Sequence, residues 1–285
     1  MANVRLIKRR IKSAKNIAQI TKAMELVAAS KMKKAQAAAI SGKLYAQKIY
    51  DMVVRLSAKA DASHHLYLKK PSVITGKRLV IFVSTNKGLC GGLNTNLFRF
   101  LNRSYGSAEG VSFLTLGKKG AAYIAQLKRP LVADFSTTVP FVSAVSSVVE
   151  FITNEFIHGK YDSIEIVFNE FISIARQEPK RRKLLPLTLD HVPDTTEAPV
   201  DMLIEPSAKE VFNALLPHYI ENQVRDAVLE AEASEHSARM VAMRNATDNA
   251  LSLTEALTLV YNKARQEKIT YEINDIVTAR LAVAQ

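Results

Sequence analysis

From Val4 to about Lys59 apolar side chains return every three or four positions. Ile7, Ile11, Ala14, Ile17, Ile20, Met24 and Val27 hold one face of a helix while lysines and arginines take the others. Ala, Lys, Met, Gln and Leu, all strong helix formers, dominate this stretch, so the spacing predicts one long helix, about 85 Å at 1.5 Å per residue. A stripe of that length needs a cover. Ser207 to Gln285 offers one: Ile220, Val224, Ala227, Ala231, Ser234, Ala238 and Val241 alternate steps of four and three, the spacing of a coiled-coil seam. Ala250, Leu253, Leu257, Val260 and Ala264 repeat it in a shifted phase. Pro217 is expected to start or kink this helix.

The pattern between them is different. KRLVIFVS (77–84), VSFLTL (111–116), 131–135, 164–174 and RKLLPLTLD (182–190) read as strands, and 94–105, 118–127 and 141–158 as helices. Strands alternating with helices predict a largely parallel sheet covered on both faces, a Rossmann-like α/β domain. The breakers agree: all nine prolines lie between Pro71 and Pro217, and nine of the ten glycines between Gly76 and Gly159. The expected division is a first helix (1–60), a central α/β domain (71–190), a return linker (191–206) rich in proline, and a last helix (207–285). The fold class is thus α/β plus a long α-helical coiled coil.

The chain order fixes a geometry. The first helix ends at the central domain and the last begins there, so paired stripes must run antiparallel. Counted from His218, the last helix exceeds the first and should overhang it by roughly 18 Å. After Asp275 its only charge is Arg280, while Ile273, Ile276, Val277, Leu281 and Val283 surround the helix. A tip apolar on most sides is expected to sit inside another protein.

Charge adds a second demand for a partner. Residues 1–60 hold 14 lysines and arginines against only Glu25 and Asp51, so they carry the chain's whole formal net charge of +12. Such a polycation calls for nucleic acid, anionic lipid or a carboxylate-rich protein. A basic coiled-coil nucleic-acid-binding protein is one reading, but Tyr45 and Tyr50 are the only aromatics there, few for base stacking. Cys90 is the only cysteine, which excludes an internal disulfide framework and a Cys-based zinc cluster. No apolar run reaches the roughly 18 residues of a membrane helix, and the basic start is not followed by the apolar core of a secretion signal.

Catalytic signals are weak. STNKGLCGGLN (84–94) lies between a strand and a helix, where phosphates are often cradled, but Gly88, Gly91 and Gly92 match neither phosphate-binding fingerprint. A tight turn is the better reading, with Cys90 a buried structural thiol. The adjacent His64 and His65 cannot chelate like an i, i+4 pair and read as solvated loop residues. No paired-carboxylate or Ser-His-Asp spacing stands out. No cofactor or metal is expected.

RRIKSAKNIAQITKAMELVAASKMKKAQ (9–36), STNKGLCGGLN (84–94), SARMVAMRNATDNA (237–250) and VYNKARQEKITYEINDIV (260–277) resemble, in order and across the whole chain, the γ subunit of rotary F-type ATP synthases. The resemblance implies a central shaft inside a ring of three α and three β subunits. The α/β domain would be seated on the membrane rotor ring of c subunits beside the ε subunit. It implies a non-catalytic subunit, peripheral on the cytoplasmic side of the bacterial inner membrane, that couples proton-driven rotation to ATP synthesis or the reverse. It places Met24 beside an acidic β-subunit loop, with Lys31, Lys33 and Lys34 inside the ring. Arg239 falls in the coupling region of the last helix, and Gln266, Thr270 and Glu272 where shaft and ring engage. Ile273 and Ile276 belong to the tip in its apolar sleeve. Family members commonly end in a Gly- and Ala-rich stretch where this chain has Thr278, Ala279 and Arg280.

Overall fold

A computed structural model describes residues 4–57, 65, 67–68, 76–187 and 204–283, without the side chains at 43, 44 and 281–283. The chain resolves into two compact units, Met1–Ala28 with Arg239–Gln285, and Ala29–Ala238. Two long helices, α1 (Val4–Ser57) and α5 (Ala208–Val283), contribute to both.

The larger unit is built on a five-stranded sheet of β1 (Arg78–Val83), β2 (Val111–Leu116), β3 (Leu131–Asp134), β4 (Ser163–Phe171) and β5 (Gln177–Leu185), in the order β3-β2-β1-β4-β5. The first four are parallel, and β5 returns antiparallel along β4. The crossovers are α2 (Leu93–Tyr105), α3 (Lys118–Gln126), and a 3-10 turn, Phe141–Ala144, that leads into α4 (Val145–Ile157). Alternation along each strand divides the apolar side chains between two cores. Leu79, Ile81 and Val83 of β1 join Ile164, Ile166 and Phe168 of β4 on the face covered by α4. Val80 and Phe82 join Phe113 and Val167 on the face covered by α2 and α3.

The α4 face also receives the end of α1, through Ile49, Val53 and Leu56, and the start of α5, through Phe212, Leu216, Ile220, Val224, Ala227 and Val228. Buried serines fix α5 to the β4–β5 hairpin: Ser234 Oγ donates to Asn169 O at 2.9 Å and Ser237 Oγ to Ile174 O at 2.8 Å. Gly117 connects β2 to α3 at φ +111°. A Cβ there would fall 2.3 Å from the Ser84 carbonyl oxygen, so only glycine lets the chain pass.

Four local expectations are corrected. Helix α5 begins at Ala208 and runs through Pro217, which therefore does not start it. Strand β5 begins at Gln177 rather than 182, because Lys180 and Arg181 meet Glu170 and Glu165 of β4 across the ladder and replace apolar alternation with paired charge. Strand β4 ends at Phe171, where a Ser173–Arg176 turn starts the hairpin. His65 is half-buried rather than simply solvated: it packs edge-on against Phe212, ring centroids 5.7 Å apart, and its Nδ1 accepts the Tyr67 N–H. Burial holds its pKa below the usual imidazole value. His64, the linker residues 191–203 and strand residues 188–190 lie outside the described residues.

Candidate partner-binding surface

In the smaller unit, α1 up to Ala28 pairs with α5 from Arg239 onward. Thr21 Oγ1 meets Thr247 Oγ1 at 2.7 Å, buried in the seam, and further along a groove joins Arg9, Arg10, Ser13, Ala14 and Ile17 to Leu253 and Leu257. Rising numbers on one helix meet falling numbers on the other, so the pair is antiparallel. Each threonine also lies within reach of the carbonyl one turn back, Ile17 O at 2.9 Å and Met243 O at 2.9 Å. With one proton per hydroxyl, one threonine bonds back to its own helix while the other bridges.

Small side chains dominate the seam, with Ile7 and Met243 the exceptions. On α1 it runs Ile7, Ala14, Ala18, Thr21 and Ala28, and on α5 Met243, Thr247, Ala250, Thr254 and Ala264. Alanine and threonine let the backbones approach closely, and Thr254 spends its hydroxyl on Ala250 O at 2.8 Å. The expected seam is therefore corrected: Ile17, Ile20 and Val27 of α1 and Leu253 and Val260 of α5 are all more than half exposed. All but Val260 sit one position from a small residue that does pack, Ala18, Thr21, Ala28 or Thr254. Leu26, Leu251 and Leu259, which the sequence reading did not select, are exposed with them, Leu259 at 73%. The signal that would have found them is a heptad of Ala and Thr beside the isoleucines.

Among the residues whose side chains are described, Ala264 is the last buried one of α5 and Ile7 the first of α1. From Arg265 to Ala279 and Arg280 every side chain is exposed, and the helix continues to Val283. The exposed overhang thus spans 16 residues whose side chains are described, 265–280, about 24 Å and longer than the sequence suggested. It carries five of the expected contact residues. Gln266, Thr270, Ile273 and Val277 fall on one face by steps of four, three and four, and Ile269, Glu272 and Ile276 on a neighbouring one. Ile276 is 68% exposed. Glu272 pairs with Lys268 at 3.2 Å, a solvated i, i+4 contact of little energetic weight. Thr278 bonds back to Asn274 O.

Met24 and Arg239 are half-buried on this same unit. Lys31, Lys33 and Lys34 belong to the larger unit and are exposed, so the expected contact residues are divided between the two units. Lys31 has a carboxylate neighbour within the chain, Glu232. Burial raises the Glu232 pKa, while a hydrogen bond from Phe141 N–H and the Lys31 charge pull it down. The outer face of α1 is basic, with Lys8, Arg9, Arg10, Lys12, Lys15 and Lys22 exposed. Glu25 is paired with Lys22 at 2.9 Å.

The glycine loop after β1 spends its polar groups on itself. Thr85 Oγ1 donates to Lys87 O at 2.8 Å, Asn94 Nδ2 to Thr85 Oγ1 at 2.7 Å, and Asn86 Oδ1 accepts Lys118 N–H at 2.9 Å. Gly91 has φ +58° and Cys90 is buried, as the turn reading requires. Among the described residues no His, Cys, Asp or Glu group is arranged to hold a metal ion, and no helix is long and apolar enough to cross a membrane.

An antiparallel helix pair that buries alanines, exposes isoleucines and leucines and ends in an exposed overhang, in a chain that also carries an α/β sheet, defines a subunit with large apolar faces open to partners. Residues 3–283 match the family model described as ATP synthase. The ATP synthase gamma chain of Opitutus terrae is 45% identical over 298 residues, and that of Roseiflexus castenholzii 39% over 292, each alignment covering 100% of both chains. A chain in the cryo-EM structure of the Euglena gracilis mitochondrial ATP synthase (OSCP/F1/c-ring, rotational state 3) shares the fold. Its TM-score is 0.68 at 19% identity, covering 98% of this chain and 94% of that one. The chain belongs to the ATP synthase γ-chain family. The nucleic-acid-binding alternative finds no support in these comparisons.

Proposed function

We propose that this chain is the central rotor shaft of an F-type ATP synthase and that it performs no bond chemistry itself. In this reading the smaller unit turns inside a ring of three α and three β subunits, and the sheet unit is the seat on the c-subunit ring beside ε. Protons flowing through the membrane sector turn the seat. The shaft is asymmetric, one helix overhanging the other, so each catalytic site at the ring meets a different surface in turn and is driven through its binding states. ATP hydrolysis runs the same cycle backwards. The chain is then peripheral to the cytoplasmic side of a bacterial inner membrane, held there through its partners. Met24 would lie beside an acidic loop of a β subunit, Lys31, Lys33 and Lys34 would meet a carboxylate-rich surface of the ring, and Arg239 would belong to the coupling region. Gln266, Thr270 and Glu272 would engage the ring, and Ile273 and Ile276 would turn in an apolar sleeve. In this reading 1–60 and 207–285 are the shaft helices, 71–190 is the seat and 191–206 the linker that returns the chain to the shaft.

The observation that carries the reading is the inverted burial of the smaller unit, whose large apolar side chains point outward along the pair and around the overhang. Reconstitution tests it. The purified chain should turn over no ATP. Membranes carrying the other subunits should hydrolyse ATP with proton pumping only when the chain is added. Turnover by the isolated chain, or pumping without it, contradicts the proposal.

A further inference from the structure

The sheet unit holds a half-buried set of charges that the shaft role does not use. Arg182 of β5 lies over the Phe168 ring, 5.2 Å from its centroid, and faces two carboxylates on successive turns of α5. Its Nη1 is 3.0 Å from Asp226 Oδ2 and also donates to Gln223 Oε1 at 3.1 Å, whereas its Nη2 is 3.7 Å from Glu230 Oε1. Beside them Lys180 of β5 is paired with Glu170 of β4. The other Glu230 oxygen, Oε2, is buried with no hydrogen-bond partner.

Charge counting singles out one residue. Three carboxylates, Asp226, Glu230 and Glu170, share two cations, Arg182 and Lys180. Lys180 is committed to Glu170, and Arg182 makes its shorter contact with Asp226. Glu230 is left with the longest ion contact and an unsolvated oxygen. A carboxylate relieves that state by taking a proton, which also brings the cluster to neutrality.

We propose that Glu230 is a reversible proton-binding site, and that its occupancy sets how firmly α5 is held against β5. Burial is the largest influence on its titration and Asp226 the next; Arg182 opposes them, Glu170 adds a little and Lys180 subtracts. The result is a pKa raised from 4.5 to about 7. Because the folded value lies above the unfolded one, the stabilising contribution of the proton is complete below about pH 4.5 and is lost as pH rises through about 7. The seat of the helix would then loosen at the alkaline end of the neutral range. The inference is independent of the rotor reading, since it concerns contacts within one unit.

The test uses the full chain labelled with carboxyl-carbon-13 glutamate. Carbon NMR should show one glutamate titrating near neutrality, and that resonance should be missing from Glu230→Gln. In Asp226→Asn it should move to lower pH, because the nearest like charge is gone. The urea midpoint of the native chain should fall between about pH 5 and pH 8. That of Glu230→Gln should fall less and exceed the native value at pH 8. If Glu230→Gln does not fold, the native and Asp226→Asn titrations decide alone. A Glu230 resonance with an ordinary carboxylate midpoint, or one that Asp226→Asn does not move, overturns the proposal.

Discussion

The two units bury themselves by opposite rules. In the sheet unit the largest side chains go inside: Phe82, Phe113, Phe168 and Phe212 are fully buried, and the strands sort their apolar residues onto two covered faces. In the helix pair the smallest go inside, Ala14, Ala18, Ala28, Ala250 and Ala264, while Ile17, Ile20, Val27, Leu253 and Leu259 look outward. Burial stabilises by about 25 cal/mol per Å² of apolar area, so an alanine seam contributes far less per residue than a phenylalanine core. The sheet unit holds itself together. The helix pair leaves its largest exposed apolar side chains outward, the arrangement expected of a shaft that must be gripped.

Mutations that exchange these rules break or sharpen the contrast. The largest effect should come from the sheet core. Phe82→Ala, in the α2–α3 layer, should cost about 3–5 kcal/mol and flatten the cooperative urea transition followed by circular dichroism. In the seam, enlargement rather than truncation should hurt. Ala18→Leu pushes two closely packed helices apart and should cost about 1–3 kcal/mol in the same assay. The smallest stability effect belongs to the outward face: Ile20→Ser, at a residue 60% exposed, should shift stability of the free chain by less than about 0.5 kcal/mol. The same change should weaken assembly with α and β subunits, read by co-elution. Lys33→Glu with Lys34→Glu should likewise spare the fold and impair assembly. Lys31 is a poorer probe, because its reversal would also burden Glu232.

Burial by large residues is what made the sheet legible. The runs at 77–84 and 111–116 are apolar enough to announce strands, and the breakers around them mark the turns. β5 was only half legible, because the cross-strand carboxylates that let KRRK lie in a sheet are distant in sequence. The helix pair was legible as to element and direction but not as to face. A periodic search follows the most hydrophobic residues, here Ile17, Ile20 and Val27, whereas antiparallel backbones pack where side chains are shortest. The overhang was shorter on paper because α5 was counted from His218 rather than Ala208, and because nothing in the sequence fixes Ala264 as the last seam residue. The Glu230 cluster was invisible for a related reason: its members come from β4, β5 and α5 and meet only once the sheet is folded.

The central claim, that the outward apolar side chains of the helix pair are covered by partners in the working complex, is open to a single-site chemical probe. The one native cysteine, Cys90, is buried, so a thiol introduced at the overhang reports alone. Ile276→Cys should react rapidly with a maleimide in the free chain and become protected at least tenfold once the chain is assembled with α and β subunits, an order-of-magnitude effect of roughly 1.4 kcal/mol in accessibility. Equal labelling rates in the free and assembled states would contradict the account.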